Sequence, residues 1–375
     1  MKNFTFFCKP EVVYGENSIF SLPAQIKKIS GRKVLLVIDS YFSKTSIFEE
    51  IKNSLEKEKI SFFIFDKIKE EPTTEIGDEC AFFGRKNKCD IVVGIGGGSC
   101  LDTAKAASVI ITNGGSVRDF QGLNKVSKPG LPKIMIPTTA GTGSEVTFTA
   151  VFIREDEKKK AGINSPYLYP EIAILDPNLT ITLPPNITAS TGLDALCHAI
   201  ESYTSKKSNF LTEIISLEAI NLIWNSLPVA YNDGKNIEAR KNMLYGSFLA
   251  GIGLANAGVT AVHSISYPLG GTFKVSHGIA NGLLLPYVLE FNFPAIKEKL
   301  DYVAKKLKIK SGNLLIEEMK NLLETFHIPR LKEFKIQPKD FPSLAEDALK
   351  VSVPIENNPK EITKKDIIEI YYKSY

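Results

Sequence analysis

The sequence is short of the features that mark membranes, disulfide scaffolds or nucleic-acid binding. It has no uninterrupted apolar run of 18 or more residues, so no membrane-spanning segment is expected. Its five cysteines (Cys8, Cys80, Cys89, Cys100, Cys197) follow neither a metal-clip nor a disulfide-framework spacing. An odd count, with several in apolar runs, fits a reducing cytoplasm. The first residues lack the charged-then-apolar layout of a signal peptide. Charge of neither sign dominates: 46 Lys and Arg against 42 Asp and Glu give a net +4. The basic residues are scattered, which argues against a nucleic-acid partner. The Lys158-Lys159-Lys160 run directly follows Glu155-Asp156-Glu157 and reads as a solvated turn. There are no internal repeats and no low-complexity stretch. Histidine is scarce, with four in 375 residues, and three of the four fall in two short segments.

What is present is two textures. The first half alternates short apolar runs with helical stretches. Lys33 to Asp39, Ile60 to Phe65, Asp90 to Ile95 and Lys133 to Ile136 read as strands, and residues 42–57, 73–86 and 100–112 as helices. Buried strands alternating with helices predict a parallel sheet covered on both faces. Near Pro184-Pro185 the strand patterns stop. Helices are expected at about 188–205, 209–227, 236–257, 276–291, 295–307, 312–325 and 363–373. The proline-punctuated segment from Phe334 to Pro359 is expected on the surface. The chain therefore divides into an α/β domain over residues 1–184 and an all-helical domain over 185–375.

The helical half carries the histidines. Asp194 and His198 stand four apart in Gly192-Leu193-Asp194-Ala195-Leu196-Cys197-His198-Ala199-Ile200-Glu201, on one helix face. His263 and Tyr267 have the same spacing, with Gly270-Gly271 beyond, and His277 precedes Gly278 at the start of another helix. One carboxylate and three imidazoles make a shell suited to iron(II) or zinc. The competing reading, four separate core residues, needs four separate explanations. Cys197 faces another side of its helix and reads as packing. His327, just before Ile328-Pro329, suits the negative end of a helix dipole and receives no metal role.

Two loops follow strands of the α/β half. Gly96-Gly97-Gly98-Ser99 lies between strand and helix, where glycines permit close approach and free amides attract phosphate. It lacks the spaced Gly-x-Gly-x-x-Gly pattern, and Asp102 and Lys105 follow it. A tight turn is its plainer reading. Pro137 to Glu145 (PTTAGTGSE) offers hydroxyl donors at a strand's carboxyl end, where ligands sit in such sheets. It could equally be a solvated Ser/Thr/Gly loop. Asp39 ends the first strand and can accept from ribose hydroxyls or cap the following helix.

Taken together these residues resemble the iron-containing (group III) alcohol dehydrogenase family over nearly the whole chain. The matching stretches are Val13-Tyr14-Gly15, Gly96 to Ser99 with Asp102 and Lys105, Pro137 to Thr147, Asp176-Pro177 and both metal segments. The resemblance implies an α/β dinucleotide-binding domain and a helical metal-binding domain, an architecture similar to dehydroquinate synthase. It implies a metal-dependent, NAD(P)-linked alcohol dehydrogenase or aldehyde reductase. The chemistry would be hydride transfer between nicotinamide C4 and a carbonyl polarised by a divalent ion. Asp194, His198, His263 and His277 would be the ligands, for Fe(II) or alternatively Zn(II). Gly97, Gly98 and Ser99, with Asp102 beside them, would hold the pyrophosphate. Thr138, Thr139, Thr142 and Lys160 would line the cofactor cleft, and Asp39 would favour NAD over NADP. Lys160 thereby leaves the solvated-turn reading on the resemblance alone. The sequence departs from the family where many members carry a second histidine four residues after the third ligand. Here Tyr267 stands there, either relaying a proton or only shaping the pocket. Lys274 is either an attractor of acidic substrates or ordinary surface charge. The partner implied is a small-molecule alcohol or aldehyde, with a homo-oligomer as an open assembly. The alternatives are a zinc-dependent glycerol dehydrogenase-like enzyme and a dehydroquinate synthase-like lyase.

Overall fold

The structure is a computed structural model that describes residues 3–375 apart from 69, 70 and 158. It divides into two compact units, Cys8–Thr182 and Leu183–Tyr375, the second joined by the N-terminal residues up to Phe7. Asn256 fastens that short segment, accepting from the Phe7 amide and donating to its carbonyl at 2.7 and 3.0 Å.

In the α/β unit, strand residues alternate between two apolar faces. Among the described residues six strands form an all-parallel sheet: β1 (Glu11–Tyr14), β2 (Lys33–Asp39), β3 (Ser61–Ile68), β4 (Ile91–Gly96), β6 (Lys133–Pro137) and β9 (Ile172–Leu175), in the order β1-β9-β6-β4-β2-β3. Val34, Leu36 and Ile38 of β2 and Ile91, Val93 and Ile95 of β4 share one core with Leu22 and Ile26 of α1 (Leu22–Lys28) and Phe48, Ile51 and Leu55 of α2 (Ser46–Lys57). Leu35 and Val37 pack oppositely, with Cys80 and Ala81 of α3 (Thr74–Lys86) and Leu101, Ala104 and Ala107 of α4 (Gly98–Asn113). Thr45 and Thr73 cap α2 and α3 through their hydroxyls. From β2 the chain proceeds outward to β3 and then across to β4, so a topological switch point lies between β2 and β4.

A second small sheet was not expected. β7 (Thr149–Arg154) and β8 (Lys159–Asn164) pair antiparallel, and the two-residue β5 (Gly122–Leu123) adds to β8. The expected Lys158–Lys160 turn is corrected in part: Lys159 and Lys160 begin β8, while Lys158 lies outside the described residues. Alternating exposure along a hairpin let charged residues occupy a strand without apolar periodicity.

A short α5 (Val117–Phe120) completes the helices of the α/β unit, and the helical unit contains α6 (Pro185–Thr204), α7 (Phe210–Asn232), α8 (Ile237–Ala257), α9 (Ala261–Phe273), α10 (His277–Lys306), α11 (Gly312–Thr325), α12 (Phe341–Lys350), α13 (Ser352–Asn357) and α14 (Lys364–Ser374). Helix α6 packs on α7, α8 and α10. Helices α8 and α9 meet at 105°. Two expectations are corrected. The helices at 276–291 and 295–307 are one, α10, with Pro286 and Pro294 inside it. Each proline forfeits one backbone bond while its fixed φ suits the helix. The Phe334–Pro359 segment is not merely superficial: Phe341, Leu344, Ala345, Ala348, Asn357 and Asn358 are buried in it. Two of its prolines, Pro338 and Pro342, sit at first turns. By length and composition α10 alone among single described helices could cross a membrane, but 67% of its apolar stretch is buried inside the unit, as in a core helix.

Helix α9 is braced from downstream. Ser264 Oγ donates to the Val351 carbonyl at 2.8 Å and Tyr371 Oη to the Ile265 carbonyl at 2.7 Å. Asn357 Nδ2 donates to the Val259 carbonyl at 3.1 Å, and Asn292 and Asn358 exchange side-chain amide bonds at 2.8 and 2.9 Å.

Candidate metal centre and cofactor loops

Small residues bring the ligand-bearing helices together. A Cβ on Gly278 would fall 2.1 Å from the Ser190 carbonyl oxygen, so α10 touches the backbone of α6 only because residue 278 lacks a side chain. One turn on, a Cβ on Gly282 would meet Leu193 side-chain atoms at 2.8 and 2.9 Å. This contact sets His277, the first residue of α10, opposite Asp194 and His198 on α6. The 105° corner between α8 and α9 delivers His263.

The four side chains converge. One ligand atom from each of Asp194, His198, His263 and His277 lies within 4.8 Å of the others. Asp194 Oδ1 is 3.9 Å from His198 Nε2 and 3.8 Å from His277 Nε2. Two ligands bound to one ion by bonds of about 2.1 Å stand roughly 3.4 Å apart in a tetrahedron, so small movements would close this set on a cation. Asp194, His198 and His263 are buried, and His277 is 27% exposed, leaving one side open. The His198 and His263 rings stack with centroids 4.9 Å apart. Burial alone would raise the Asp194 carboxyl, but the three imidazoles and the Asn281 amide outweigh it and hold it below the usual range.

Two further side chains carry the arrangement. Glu201, 1% exposed, accepts at Oε1 from the Thr260 amide (3.0 Å), Thr260 Oγ1 (2.7 Å) and the Val262 amide (2.9 Å). Its Oε2 is hydrogen-bonded to His263 Nδ1. Asn281, fully buried, donates from Nδ2 to Asp194 Oδ1 at 2.8 Å, and that nitrogen lies 3.1 and 3.2 Å from Nε2 of His263 and His277. Asn281 Oδ1 is buried with no hydrogen-bond partner. Sequence reasoning assigned neither residue a role. Spacing was the available signal: Glu201 follows His198 by three and Asp194 by seven, and Asn281 follows His277 by four, all on common helix faces. An oxygen and three nitrogens at this spacing, beside an orphaned buried amide oxygen, fit a divalent ion.

Tyr267 is half-buried on α9, its ring 5.7 Å from that of His277 and 6.4 Å from that of His263. Lys274 is exposed and caps α9 in a left-handed conformation. Cys197 is fully buried, and desolvation first, then Glu201 and Asp194, pushes its thiol well above its usual range. His327 takes a left-handed conformation (φ 52°) just past α11.

The two glycine-bearing loops lie side by side in the α/β unit. Gly96 pairs with Pro137 where β4 and β6 end, and the Thr138 amide donates to the Gly96 carbonyl at 3.0 Å. Gly97 caps α4 and brings no side chain of its own to that helix start. Gly98 faces Thr142, whose methyl would lie 2.5 Å from an added Cβ, and Gly97 faces Thr139 at 3.4 Å. Ser99 opens the helix and its carbonyl accepts from Thr103. Glycine backbone at the positive end of a 16-residue helix, with the Thr139 and Thr142 side chains close beside it, fits a diphosphate. Asp39 ends the neighbouring β2. Its Oδ1 accepts from the Tyr41 and Phe42 amides (3.0 and 2.7 Å), while Oδ2 lies toward Gly96, 3.3 Å from an added Cβ. Both Asp102 oxygens are engaged by the protein: Oδ1 accepts from Ser144 Oγ (2.6 Å) and Oδ2 from the Val151 amide (2.8 Å). Lys105, fully buried, donates to the Ser144 and Thr149 carbonyls, and burial lowers its pKa. Glu145 is buried nearby, and desolvation pushes its carboxyl up to about 7 against the pull of its own backbone amide and Lys105. Lys160 stands apart on β8, where its amine pairs with Glu71 at 3.0 Å.

Comparison with known proteins agrees over the whole length. Residues 9–177 match the family model for iron-containing alcohol dehydrogenase, and residues 188–375 match the C-terminal model of the same family. The chain is 36% identical to an NAD-dependent methanol dehydrogenase of Bacillus methanolicus, over 97% of this chain and 98% of that one. A solved 1,3-propanediol oxidoreductase superposes with a TM-score of 0.95 at 32% identity, each chain covered entirely. A sulfoacetaldehyde reductase from Bifidobacterium kashiwanohense, solved with NAD+, superposes with a TM-score of 0.92 at 29% identity, covering 100% of this chain and 99% of that one.

Proposed function

The chain belongs to the iron-containing alcohol dehydrogenase family and is an NAD-linked oxidoreductase of small alcohols and aldehydes, and on that premise we propose the following residue roles. Asp194, His198, His263 and His277 hold a divalent ion, iron(II) first and zinc(II) as the alternative. When bound, the ion supplies Lewis acidity toward a carbonyl or alkoxide oxygen, and NAD supplies the carbon that takes or gives hydride. The helical unit fixes the four ligands on rigid helices and shields them from bulk water, leaving the His277 side open. Tyr267, at the rim, holds or moves a proton at its hydroxyl.

In the α/β unit the amides around Gly97, Gly98 and Ser99 bind the diphosphate. Thr138, Thr139 and Thr142 supply hydroxyls beside it. Asp39 uses Oδ2 for the ribose hydroxyls and opposes a 2′-phosphate. Asp102 contributes by bracing the second loop through Ser144. Lys160 reaches the cofactor by leaving Glu71. We assign residues 1–184 to cofactor binding, apart from the segment ending at Phe7 that packs with the helical unit, and 185–375 to the metal. Five free cysteines, four of them buried, favour a reducing cytoplasm. A homo-oligomer is in keeping with the edge position of β1, whose Val12 and Tyr14 are exposed.

The observation that carries this reading is the convergence of one carboxylate and three imidazoles from three helices within 4.8 Å. Protein purified without oxygen should contain one iron or zinc per chain and oxidise NADH when offered a panel of short aldehydes. Metal-free protein that stays inert across the panel after reloading with Fe(II) and Zn(II) would overturn it, and turnover without net cofactor change would mark a lyase.

A further inference from the structure

We propose that Glu201 is the positioning residue of the metal centre, selecting the tautomer of His263 that presents a bare Nε2 to the other ligands. The inference rests on the metal reading above and assigns a role to a residue outside the ligand set. An imidazole binds a cation through a nitrogen that carries no proton. A neutral ring has two nitrogens and one proton, so whatever fixes the proton on one nitrogen frees the other.

The surroundings of Glu201 leave one arrangement. Oε1 takes three donors: the Thr260 amide, the Thr260 hydroxyl and the Val262 amide. Two of these are backbone N–H groups, which can only donate. Oε2 meets His263 Nδ1. A carboxylate has no proton to give, so Nδ1 is the donor, and in the neutral ring that leaves the lone pair on Nε2. Nε2 is the atom that lies 3.1 Å from Asn281 Nδ2, on the side of Asp194 and His277. Glu201 thus ties the 258–262 corner to α6 and sets the chemistry of the ring that follows it.

These two jobs are separable by one substitution. In Glu201→Gln the side chain keeps its size, but one oxygen becomes an NH2. The amide oxygen must take the Oε1 position, because turning the NH2 there would face three donors at once. The NH2 then points at His263 Nδ1, which must accept, and the proton moves to Nε2. The brace survives and the ligand is lost. If Glu201 only braced the corner, Gln would serve nearly as well.

The test uses the full chain, stripped of metal, and Zn(II) as the probe in chelator competition. The wild-type chain should bind zinc, and Glu201→Gln should bind it about 10–100-fold more weakly while melting cooperatively. Nitrogen NMR on histidine-labelled protein reads the tautomer directly, and with four histidines in the chain the His263 signals can be assigned by their loss in His263→Ala. The expected result is Nδ1–H in the wild type and Nε2–H in Glu201→Gln. Equal zinc affinity in the two proteins overturns the proposal, as does a His263 ring protonated at Nε2 and bare at Nδ1 in the metal-free wild type, a measurement that stands even if the variant does not fold. Failure of the wild-type chain to bind zinc at all counts instead against the four-ligand reading.

Discussion

Gly278→Ala adds one methyl group at the contact between α6 and α10. On helix propensity alone the change should stabilise, by about 1 kcal/mol. Packing decides otherwise. The new Cβ would sit 2.1 Å from the Ser190 carbonyl oxygen and 2.8 Å from its carbonyl carbon. A comfortable carbon–oxygen contact is about 3.3 Å, so the helices must part by roughly 1.2 Å. A backbone carbonyl cannot rotate out of the way as a side chain can. Overpacking of this kind costs ~1–3 kcal/mol, so the net loss is at most about 2 kcal/mol and a melting shift of a few degrees. The metal centre should suffer more. His277 Nε2 and Asp194 Oδ1 already stand 3.8 Å apart, and two ligands on one ion with bonds of about 2.1 Å can reach only ~4.2 Å. Separation of α6 and α10 takes the pair past that limit. The assay pairs thermal melting of metal-free protein with zinc affinity by chelator competition. Gly278→Ala should lose at least about tenfold in zinc affinity, and Gly282→Ala, whose Cβ would meet Leu193 Cδ1 at 2.8 Å and Cβ at 2.9 Å rather than a backbone carbonyl at 2.1 Å, should lose less. A Gly278→Ala protein with unchanged affinity and an equal or higher melting point would refute the idea that this contact sets the ligand geometry.

Other outcomes follow from the same geometry. His263→Ala should lose metal and activity together while retaining NADH binding, and unchanged metal stoichiometry would remove His263 from the shell. Asp39→Gly should narrow the preference for NADH over NADPH and, by removing the bonds to the Tyr41 and Phe42 amides, cost about 1 kcal/mol of stability. An unaltered cofactor ratio would leave Asp39 as a cap only. Glu145, pushed up to about 7 from 4.5, binds its proton more tightly folded than unfolded. Its contribution therefore falls as pH rises from about 4.5 to 7, by up to roughly 3 kcal/mol. Glu145→Gln should flatten that part of the stability–pH curve, and parallel curves would mean the carboxyl is not desolvated.

Four of the six strands of the parallel sheet were legible as short apolar runs, and Lys33 to Asp39 matches β2 residue for residue; β9, four residues long and buried throughout, was too short to stand out. Edge strand β1 and the β7–β8 hairpin, half exposed and rich in charge, lacked that signal. Proline misled three times. It ended α7 before Pro228 and divided α10 at Pro294, where both helices continue, and it disguised α12 and α13, whose prolines occupy first turns or short segments. The four converging residues were visible because histidine is rare and the spacings are helical. Glu201 and Asn281 were not, since glutamate and asparagine are common and their importance arises from what long-range folding sets against them. Asp102 could be placed by sequence near the glycine loop, but only the fold reveals that Ser144 and Val151 occupy both its oxygens.

The brace on α9 has a consequence for how the protein is made. Val351 lies 87 residues after Ser264, and Tyr371 lies 106 after Ile265. Ribosomes add about 5–20 residues per second, so the helix bearing His263 waits roughly 5–20 s for these hydrogen bonds. In that interval all four ligands have been synthesised, yet one stands on a helix still lacking its anchors. The final geometry of the four converging side chains is therefore a late event of maturation, set by residues 87 and 106 positions downstream of the helix they brace.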